Sequence, residues 1–275
     1  MTAIMGIVNV TPDSFSDGGR FLSADAAVAH GRALRAAGAD LLDVGGESTR
    51  PGAERVDPAE ERARVLPVIA ALAADGATVS IDTMNASTAL AAVERGARIV
   101  NDVSGGLSDP DMLSAVAASG VDVVLQHWRG PSADMYAHAG YDDLGRDLVA
   151  ELEARFVAAV AAGISPDRVI LDPGIGFGKR GAQNWEALRA LERVVAIGPR
   201  VLVGTSRKRF LAEALAALTP EEDVSAERRD LATAVTSVLA AQSGAWAVRV
   251  HDAAGTRDAL AVWTNWNGES DGGHA

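Results

Sequence analysis

The chain has no cysteine among its 275 residues. No disulfide bond can form, so the composition gives no indication of an oxidising compartment. The sequence also lacks an apolar run long enough to span a bilayer. Its N-terminus lacks the basic and apolar segments of a secretion signal. We therefore expect a cytoplasmic protein with no membrane association.

Basic charge is scarce as well. Lysine and arginine number 25 against 37 aspartate and glutamate residues, which gives a formal net charge of −12. This balance argues against a nucleic-acid partner, because phosphate backbones bind to basic surfaces. It is compatible with a small anionic substrate, since a local cluster of cations is sufficient to bind one.

Short β-branched runs alternate with longer alanine-rich stretches along the whole chain. Most of the short runs lack apolar/polar alternation, which is typical of strands buried on both faces in a parallel sheet. The predicted strands are Ile4–Val10, Asp40–Gly46, Thr78–Thr83, Arg98–Val103, Asp122–His127, Val169–Gly174, Val201–Ser206 and Trp246–Asp252. Eight strand–helix pairs in strict order predict an α/β fold, a (β/α)8 or TIM barrel. We assign residues 1–267 to this single domain and expect a disordered tail at 268–275.

The stretches between the strands predict helices. Asp57 and Asp109 each precede a proline and should cap a helix. Asn85 should cap a helix that runs to Arg95. The other predicted helices are Ser23–Ala37, Tyr141–Ala162, Asn184–Ala196, Ala226–Ser243 and Gly255–Trp266.

Polar residues end nearly all of the predicted strands. In a (β/α)8 barrel these carboxyl ends meet on one face, where the active site forms. The residues are Asn9, Asp82, Asn101, Asp102, Gln126, His127, Asp172, Ser206, Arg207, Lys208, Arg249, His251 and Asp252, while the glycines Gly45 and Gly46 end the second strand. A buried polar group costs free energy unless it is hydrogen-bonded. A purely structural explanation for the whole set is therefore weak.

The set has a chemical character. The oxygens and the amide of Asp82, Asn101 and Asp172 suit a flat heterocycle that bears ring N–H and amino groups. The cationic and imidazole side chains at the ends of the seventh and eighth strands suit an anion or a ring carbonyl. Asn9 supplies a neutral oxygen, which is adequate for Mg2+ that a polyphosphate already holds.

Two loops on the same face carry further candidates. The first spans Thr11–Phe21, and the second spans Glu47–Asp57. Aromatic residues make up only 4% of the chain, so Phe15 among small polar residues of the first loop is notable. It favours a mobile lid. A stiff surface turn is the alternative, because glycine-rich loops are common.

At these residues the sequence resembles the dihydropteroate synthase family, and its Trp128 and Arg209 variants resemble actinobacterial members. The matching segments occur in family order over residues 5–252 and are together specific. They are MGIVNVTPDSFSDGG (Met5–Gly19), DVGGESTRPG (Asp43–Gly52), SIDT (Ser80–Thr83), NDVSG (Asn101–Gly105), DPGIGFGK (Asp172–Lys179), GTSRK (Gly204–Lys208) and RVHD (Arg249–Asp252).

The resemblance implies a homodimeric enzyme of folate biosynthesis. The reaction would join 6-hydroxymethyl-7,8-dihydropterin pyrophosphate to p-aminobenzoate and release 7,8-dihydropteroate and pyrophosphate. The implied pterin pyrophosphate contacts are Thr49, Asp82, Asn101, Asp172, Lys208, Arg249, Val250 and His251. Those implied for p-aminobenzoate are Phe15, Arg50, Pro51, Phe177 and Arg209. Asn9 would hold the Mg2+ cofactor, and the candidates for a direct part in the reaction are Asp17, Lys208, Arg249 and His251.

Two positions depart from the family pattern. Gln126 stands where members usually have methionine, next to the expected pterin site. Arg209 stands where serine is common, so backbone N–H groups at a helix start would have to bind the benzoate carboxylate. Three alternatives stay open: a pterin-dependent methyltransferase with the same barrel, a non-catalytic pterin-binding paralogue, and a drug-insensitive synthase.

Overall fold

The computed structural model describes residues 1–10, 20–48, 52–53, 55–131, 135–137, 139–218 and 224–268. Eight parallel strands follow one another around a closed barrel, and the last pairs with the first. The strands are β1 Ala3–Asn9, β2 Leu41–Gly45, β3 Thr78–Asp82, β4 Ile99–Asp102, β5 Asp122–Gln126, β6 Val169–Asp172, β7 Arg200–Val203 and β8 Ala247–Val250. The predicted (β/α)8 barrel is confirmed.

All eight strands end before their predicted ends, and the difference is largest for β7, which ends at Val203 instead of Ser206. Ser206 and His251 were placed on β7 and β8 but lie in the loops that follow them. The cause is a side-chain contact that replaces strand pairing: the backbone N–H of His251 donates to Ser206 Oγ over 3.1 Å. These polar residues therefore stand above the barrel rather than in its wall.

Helices connect the strands on the outside of the barrel. They are α1 Arg20–Ala36, α2 Pro58–Ala74, α3 Ala86–Glu94, α4 Met112–Ser119, α5 Leu144–Ala161, α6 Ala182–Arg189, α7 Leu191–Val195, α8 Arg209–Ala216, α9 Ala226–Gln242 and α10 Ala253–Trp266. Asp57 caps α2 as predicted, since its Oδ1 accepts from the N–H of Ala59 over 2.8 Å. Within the described parts of the chain, no helix is both long and apolar enough to cross a bilayer.

Three helix predictions need correction. Asp109 does not cap α4, which begins at Met112; its carboxylate accepts from the N–H groups of Ala86 and Asp111 instead. The side chain of Asn85 does not cap α3 but donates to Glu61 Oε2 over 2.7 Å. The helix predicted from Asn184 to Ala196 is divided at Ala190 into α6 and α7. The short helix α8 was not predicted.

The barrel interior is filled by one apolar layer near the middle of the strands. Its side chains are Met5, Leu41, Ile99, Val124, Ile170, Leu202 and Ala247. Side chains two residues apart share a face of a strand. The next inward positions on five of these strands are polar: Asp43, Asn101, Gln126, Asp172 and Arg249. The strands therefore carry a dry apolar floor with a polar layer directly above it, at their carboxyl ends.

Candidate active site

A cavity of about 1130 Å³ opens at the carboxyl ends of the strands. It collects side chains from most strands and from the loops after β6 and β7. The predicted site residues that line it are Asn9, Asp82, Asn101, Asp172, Phe177, Lys208, Arg209, Arg249 and His251. Val250 points the other way, since its side chain belongs to the apolar layer between the strands and the helices. Only its backbone could take part in binding, as the resemblance implies.

Five predicted site residues lie outside the described parts of the chain. They are Phe15, Asp17, Thr49, Arg50 and Pro51. The predicted lid on the first loop lies outside them too. The second loop is described up to Ser48 and again at residues 52–53 and from 55 onward, and Glu47 and Ser48 at its start line the cavity.

Arg249 lies at the centre of a buried polar cluster. Its Nε donates to Asp43 Oδ2 over 2.6 Å, and its Nη2 donates to Asp82 Oδ2 over 2.9 Å. Asp43 Oδ2 also accepts from the amide of Asn101 over 2.9 Å. Burial raises the pKa of Asp82 to about 7, although the charge of Arg249 acts in the opposite direction. Residues predicted for the pterin and for the anion are therefore linked to each other through Asp43.

Asp43 was not among the predicted site residues. It is fully buried, and its Oδ1 has no hydrogen-bond partner among the described residues. A signal was present in the sequence, because Asp43 lies two residues after Leu41 on a strand with apolar neighbours. Asp43 was missed because only the last residues of each predicted strand were considered, although side chains two residues apart lie on the same face of a strand.

Asp172, at the end of β6, and Lys208, in the loop after the neighbouring strand β7, both line the cavity. Asp172 Oδ1 accepts from the N–H of Gly174 over 2.7 Å, and burial raises the pKa of the carboxyl group while the charge of Lys208 lowers it. Burial lowers the pKa of Lys208 to about 8. The Lys208 ammonium donates to the carbonyl oxygen of Ile175 and lies 4.9 Å from the centre of the Phe177 ring. A carboxylate and a cation are thus held at one edge of the cavity.

His251 is oriented by Ser206. The distance between Ser206 Oγ and His251 Nδ1 is 2.8 Å, and the backbone N–H of His251 donates to the same oxygen. The ring is therefore fixed through one nitrogen at the rim of the cavity, beside the end of β8.

The two positions that depart from the family pattern differ in burial. Gln126 is buried and lines the cavity, and its Nε2 donates to the carbonyl of Val103 over 3.3 Å. The Arg209 side chain is 86% exposed and pairs with Glu213 over 2.7 Å at the start of α8. The start of a helix does lie at the cavity, where its free N–H groups could bind a carboxylate.

The described residues contain no group of three or more histidine, cysteine, aspartate or glutamate side chains that could hold a metal ion. Asn9 ends β1 and lines the cavity. This arrangement fits Mg2+ only where most of its ligands come from substrate oxygens or water, because one amide oxygen is a small part of an octahedral shell.

Comparison with known proteins gives one consistent result. The model of a family described as pterin binding enzyme matches residues 5–251. The dihydropteroate synthase of Mycobacterium leprae (strain TN) is 52% identical over 268 residues, which is 96% of this chain and 93% of that protein.

Solved structures agree. Dihydropteroate synthase of Xanthomonas albilineans with 4-aminobenzoic acid has a TM-score of 0.88 and 46% identity, and the match covers 97% of this chain and 93% of that chain. A second structure from that organism, in complex with 7,8-dihydropteroate, has a TM-score of 0.84 and 44% identity, with 97% and 94% covered.

Proposed function

The chain belongs to the pterin binding enzyme family, and on that premise we propose that it is a transferase of folate biosynthesis that joins 6-hydroxymethyl-7,8-dihydropterin pyrophosphate to p-aminobenzoate. The products are 7,8-dihydropteroate and pyrophosphate. The relatives with the same barrel carry the name of this activity. The observation that carries the proposal is a single cavity in which buried acceptors and partly buried cations meet at the carboxyl ends of the strands.

The pterin ring binds to the buried acceptors in this proposal. Asp172 and Asp82 accept from the amino group and ring N–H groups, and Asn101 completes the recognition of the ring edge. Lys208 donates to a ring acceptor. Hydrogen bonds of this kind to charged groups contribute roughly 1.5–3 kcal/mol each. Support comes from the burial of the three acceptors and from the partly buried position of Lys208 at the cavity.

The pyrophosphate group binds near the end of β8. Arg249 and His251 supply the cation and the imidazole, and the backbone of Val250 lies between them in sequence. Thr49 of the second loop is the further candidate. The support is the placement of both side chains at the cavity wall, with His251 oriented by Ser206.

Mg2+ is the proposed cofactor, with Asn9 as its protein ligand. Asn9 offers a neutral oxygen at the cavity, which suits an ion whose other ligands are phosphate oxygens and water. When bound, the ion would help to neutralise the charge of the pyrophosphate group.

The reaction itself exchanges one bond for another. The amine nitrogen of p-aminobenzoate forms a bond to the exocyclic methylene carbon, and the C–O bond to pyrophosphate breaks with its electron pair on the leaving oxygen. The amine nitrogen then loses a proton, for which Asp17, outside the described residues, is the candidate acceptor. Arg249 and His251 offset the charge on the leaving group. The main task of the barrel is to hold the two substrates in line.

The p-aminobenzoate site is proposed at the start of α8 and the turn after β6. Phe177 provides an aromatic wall, and the first backbone N–H groups of α8, near Arg209, face the carboxylate. Phe15, Arg50 and Pro51 would complete the site from the two loops. The support is the common position of Phe177 and the start of α8 at the cavity.

We place the enzyme in the cytoplasm as a homodimer. The absence of cysteine is compatible with a reducing compartment. An exposed apolar row supports self-association: Leu231, Val235 and Leu239 recur every four residues on α9, at 69%, 54% and 53% exposure. Val262 and Trp266 extend the apolar surface on α10, which packs beside α9. A two-fold interface would bury the same row on both subunits.

The direct test is product formation. Purified chain, both substrates and Mg2+ should yield dihydropteroate and pyrophosphate in equal amounts. Asp172→Asn should keep the melting temperature of the wild type but reduce kcat/KM at least tenfold, in line with the loss of a hydrogen bond to a charged group. Tight pterin binding without any dihydropteroate would instead identify a non-catalytic pterin-binding paralogue.

A further inference from the structure

Lysine is used at only two positions in this chain, Lys179 and Lys208, and every other basic residue among the 25 is arginine. Both lysines line the cavity. Lys208 has a proposed part in binding the pterin. Lys179 has none, and it is the largest fully buried side chain of the described residues, with 1% exposure.

The Lys179 ammonium group is bound by three acceptors. Its Nζ lies 3.0 Å from His127 Nδ1, 3.0 Å from the carbonyl oxygen of Gly174 and 3.1 Å from that of Phe177. A protonated lysine has three N–H donors, so each donor has one partner. Burial lowers the pKa of His127 to about 4, and the neutral ring can therefore accept at Nδ1.

Stability does not explain a lysine here. Burial lowers the pKa of Lys179 to about 7 against the attraction of Asp172, which shows that the buried charge is disfavoured. An apolar residue of the same length would fill the same space without that cost, but it would leave the carbonyl oxygens of Gly174 and Phe177 without this donor. The three hydrogen bonds must therefore serve to hold the groups that accept them.

Those groups belong to the turn of residues 174–178, which follows β6. A Cβ atom on Gly174 would lie 2.3 Å from the carbonyl oxygen of His127, so the turn runs directly against β5. Asn184 holds it from the other side, because its Oδ1 accepts from the N–H of Gly176 over 2.6 Å. The turn carries the Ile175 carbonyl that binds the Lys208 ammonium, and it carries the Phe177 ring.

We propose that Lys179 is a positioning residue, which fixes the 174–178 turn so that Ile175 holds Lys208 and Phe177 forms a wall of the p-aminobenzoate site. This inference rests on the proposed function for its kinetic consequences. The Lys179 Nζ atom donates to Gly174 at one end of the turn and to Phe177 near the other, so a single atom links the two ends. Lys179 itself touches neither substrate in this account.

A series of side-chain contacts links His127 to partly exposed residues on the protein surface. His127 Nε2 lies 2.9 Å from Glu151 Oε2, and Glu151 also pairs with Arg129. The imidazole therefore has a neighbour at each nitrogen, the Lys179 ammonium at Nδ1 and the Glu151 carboxylate at Nε2. The contacts that set the position of the turn therefore extend to His127, directly after β5, and to Glu151 on α5.

The test compares Lys179→Met with the wild type. Methionine fills the same volume without donors, so the protein should fold. The KM for p-aminobenzoate should rise about tenfold or more, the effect of losing hydrogen bonds to a charged group, and kcat should fall. Binding of product pyrophosphate, measured by calorimetry, should stay within about twofold, because Asp43, Asp82 and Ser206, which lie outside the turn, orient Arg249 and His251.

Two further variants complete the experiment. Lys179→Gln retains an N–H2 group and should recover part of the loss. Arg200→Met removes a cation that pairs with Asp122 over 2.9 Å at the opposite end of the barrel. This variant should change neither the KM for p-aminobenzoate nor the KM for the pterin pyrophosphate, even if it lowers the melting temperature. If Lys179→Met does not fold, the test uses Lys179→Gln instead. A wild-type kcat and a wild-type KM for p-aminobenzoate in that variant would overturn the proposal.

A second readout does not depend on catalysis. With lysine isotope-labelled at Cε, the wild type gives two signals in the NMR spectrum and Lys179→Met gives one, from Lys208. We expect the Lys208 signal to shift, because its carbonyl partner is on the released turn. An unshifted signal with an unchanged p-aminobenzoate KM would overturn the inference, as would an equal loss of all binding affinities. If the wild type made no dihydropteroate, the proposed function would fail while this spectrum still tested Lys179.

Discussion

Arg249 is the residue at which the two halves of the pterin substrate would meet. It bonds to Asp82, a proposed pterin acceptor, and to Asp43, which also holds Asn101. A guanidinium held by two carboxylates has a defined direction before the substrate arrives. We interpret Asp43 as the group that orients both Arg249 and Asn101, and hence as a link between ring recognition and anion recognition.

Asp43→Asn tests this interpretation. The amide keeps the shape of the carboxylate but removes its charge, so Arg249 is held less firmly. We expect the Kd for the pterin pyrophosphate substrate to rise about tenfold, within the roughly 1.5–3 kcal/mol of a hydrogen bond to a charged group. Calorimetry measures this directly. Asp75→Asn is the matched control, because Asp75 bonds to Arg32 through two hydrogen bonds at the surface; an equal effect of the two variants would contradict the interpretation.

The charge of Lys208 gives a prediction about pH. Burial lowers the pKa of its ammonium to about 8, so the cation is present below that pH and is lost as the pH rises through it. The kcat/KM for the pterin pyrophosphate should therefore decline on the alkaline side of about pH 8. Lys208→Met should be less active overall and lack this decline. A wild-type profile that stays level to the ordinary pKa of lysine would show that the ammonium is not required.

At the scale of elements, most of the barrel was predictable from the sequence. The errors in the predicted strand ends and helix caps have physical causes. Eight buried strands are visible in the sequence because parallel strands covered on both faces are continuously apolar. The strand ends were placed too far along because Ser206 and His251 bond to each other instead of to neighbouring strands. Asp109 looked like a cap for α4, yet a tertiary contact to Ala86 uses its carboxylate.

The residues that line the cavity were predictable where they stand at a strand end and not where contacts between loops place them. Asp82, Asn101 and Asp172 were found by their position alone. Lys179 was missed, because its three partners come from two loops that meet only in the folded chain. Sequence spacing does not reveal that meeting, since such contacts depend on how the loops pack.

The start of α8 carries a prediction of its own. If its backbone N–H groups bind the benzoate carboxylate, the exposed Arg209 side chain contributes little, because it pairs with Glu213 instead. Arg209→Ala should then change the KM for p-aminobenzoate by about fivefold or less, since exposed charge pairs are worth about 0.2–1 kcal/mol. Steady-state kinetics with varied p-aminobenzoate concentration would detect a larger change in this KM. A tenfold rise in KM would assign the carboxylate to the guanidinium.

At the scale of the whole molecule, the apolar row on α9 predicts how two copies associate. Val235→Glu places a charge in the middle of the row, which a dimer would have to bury at a cost. We expect light scattering to give a dimeric mass for the wild type and a monomeric mass for this variant. Val157→Glu is the control, because Val157 on α5 is 60% exposed but lies outside the row. A dimeric mass for both variants would place the interface elsewhere.

The central claim is that the pterin binds in the polar layer above the barrel floor and that p-aminobenzoate joins it from the side of α8. A crystal structure of the chain with 7,8-dihydropteroate is the measurement that tests this most directly. The account predicts the pterin ring within hydrogen-bond distance of Asp172, Asn101 and Asp82, and the benzoate ring against Phe177. A product bound with its pterin away from Asp172, or outside the cavity at the carboxyl ends of the strands, would contradict it.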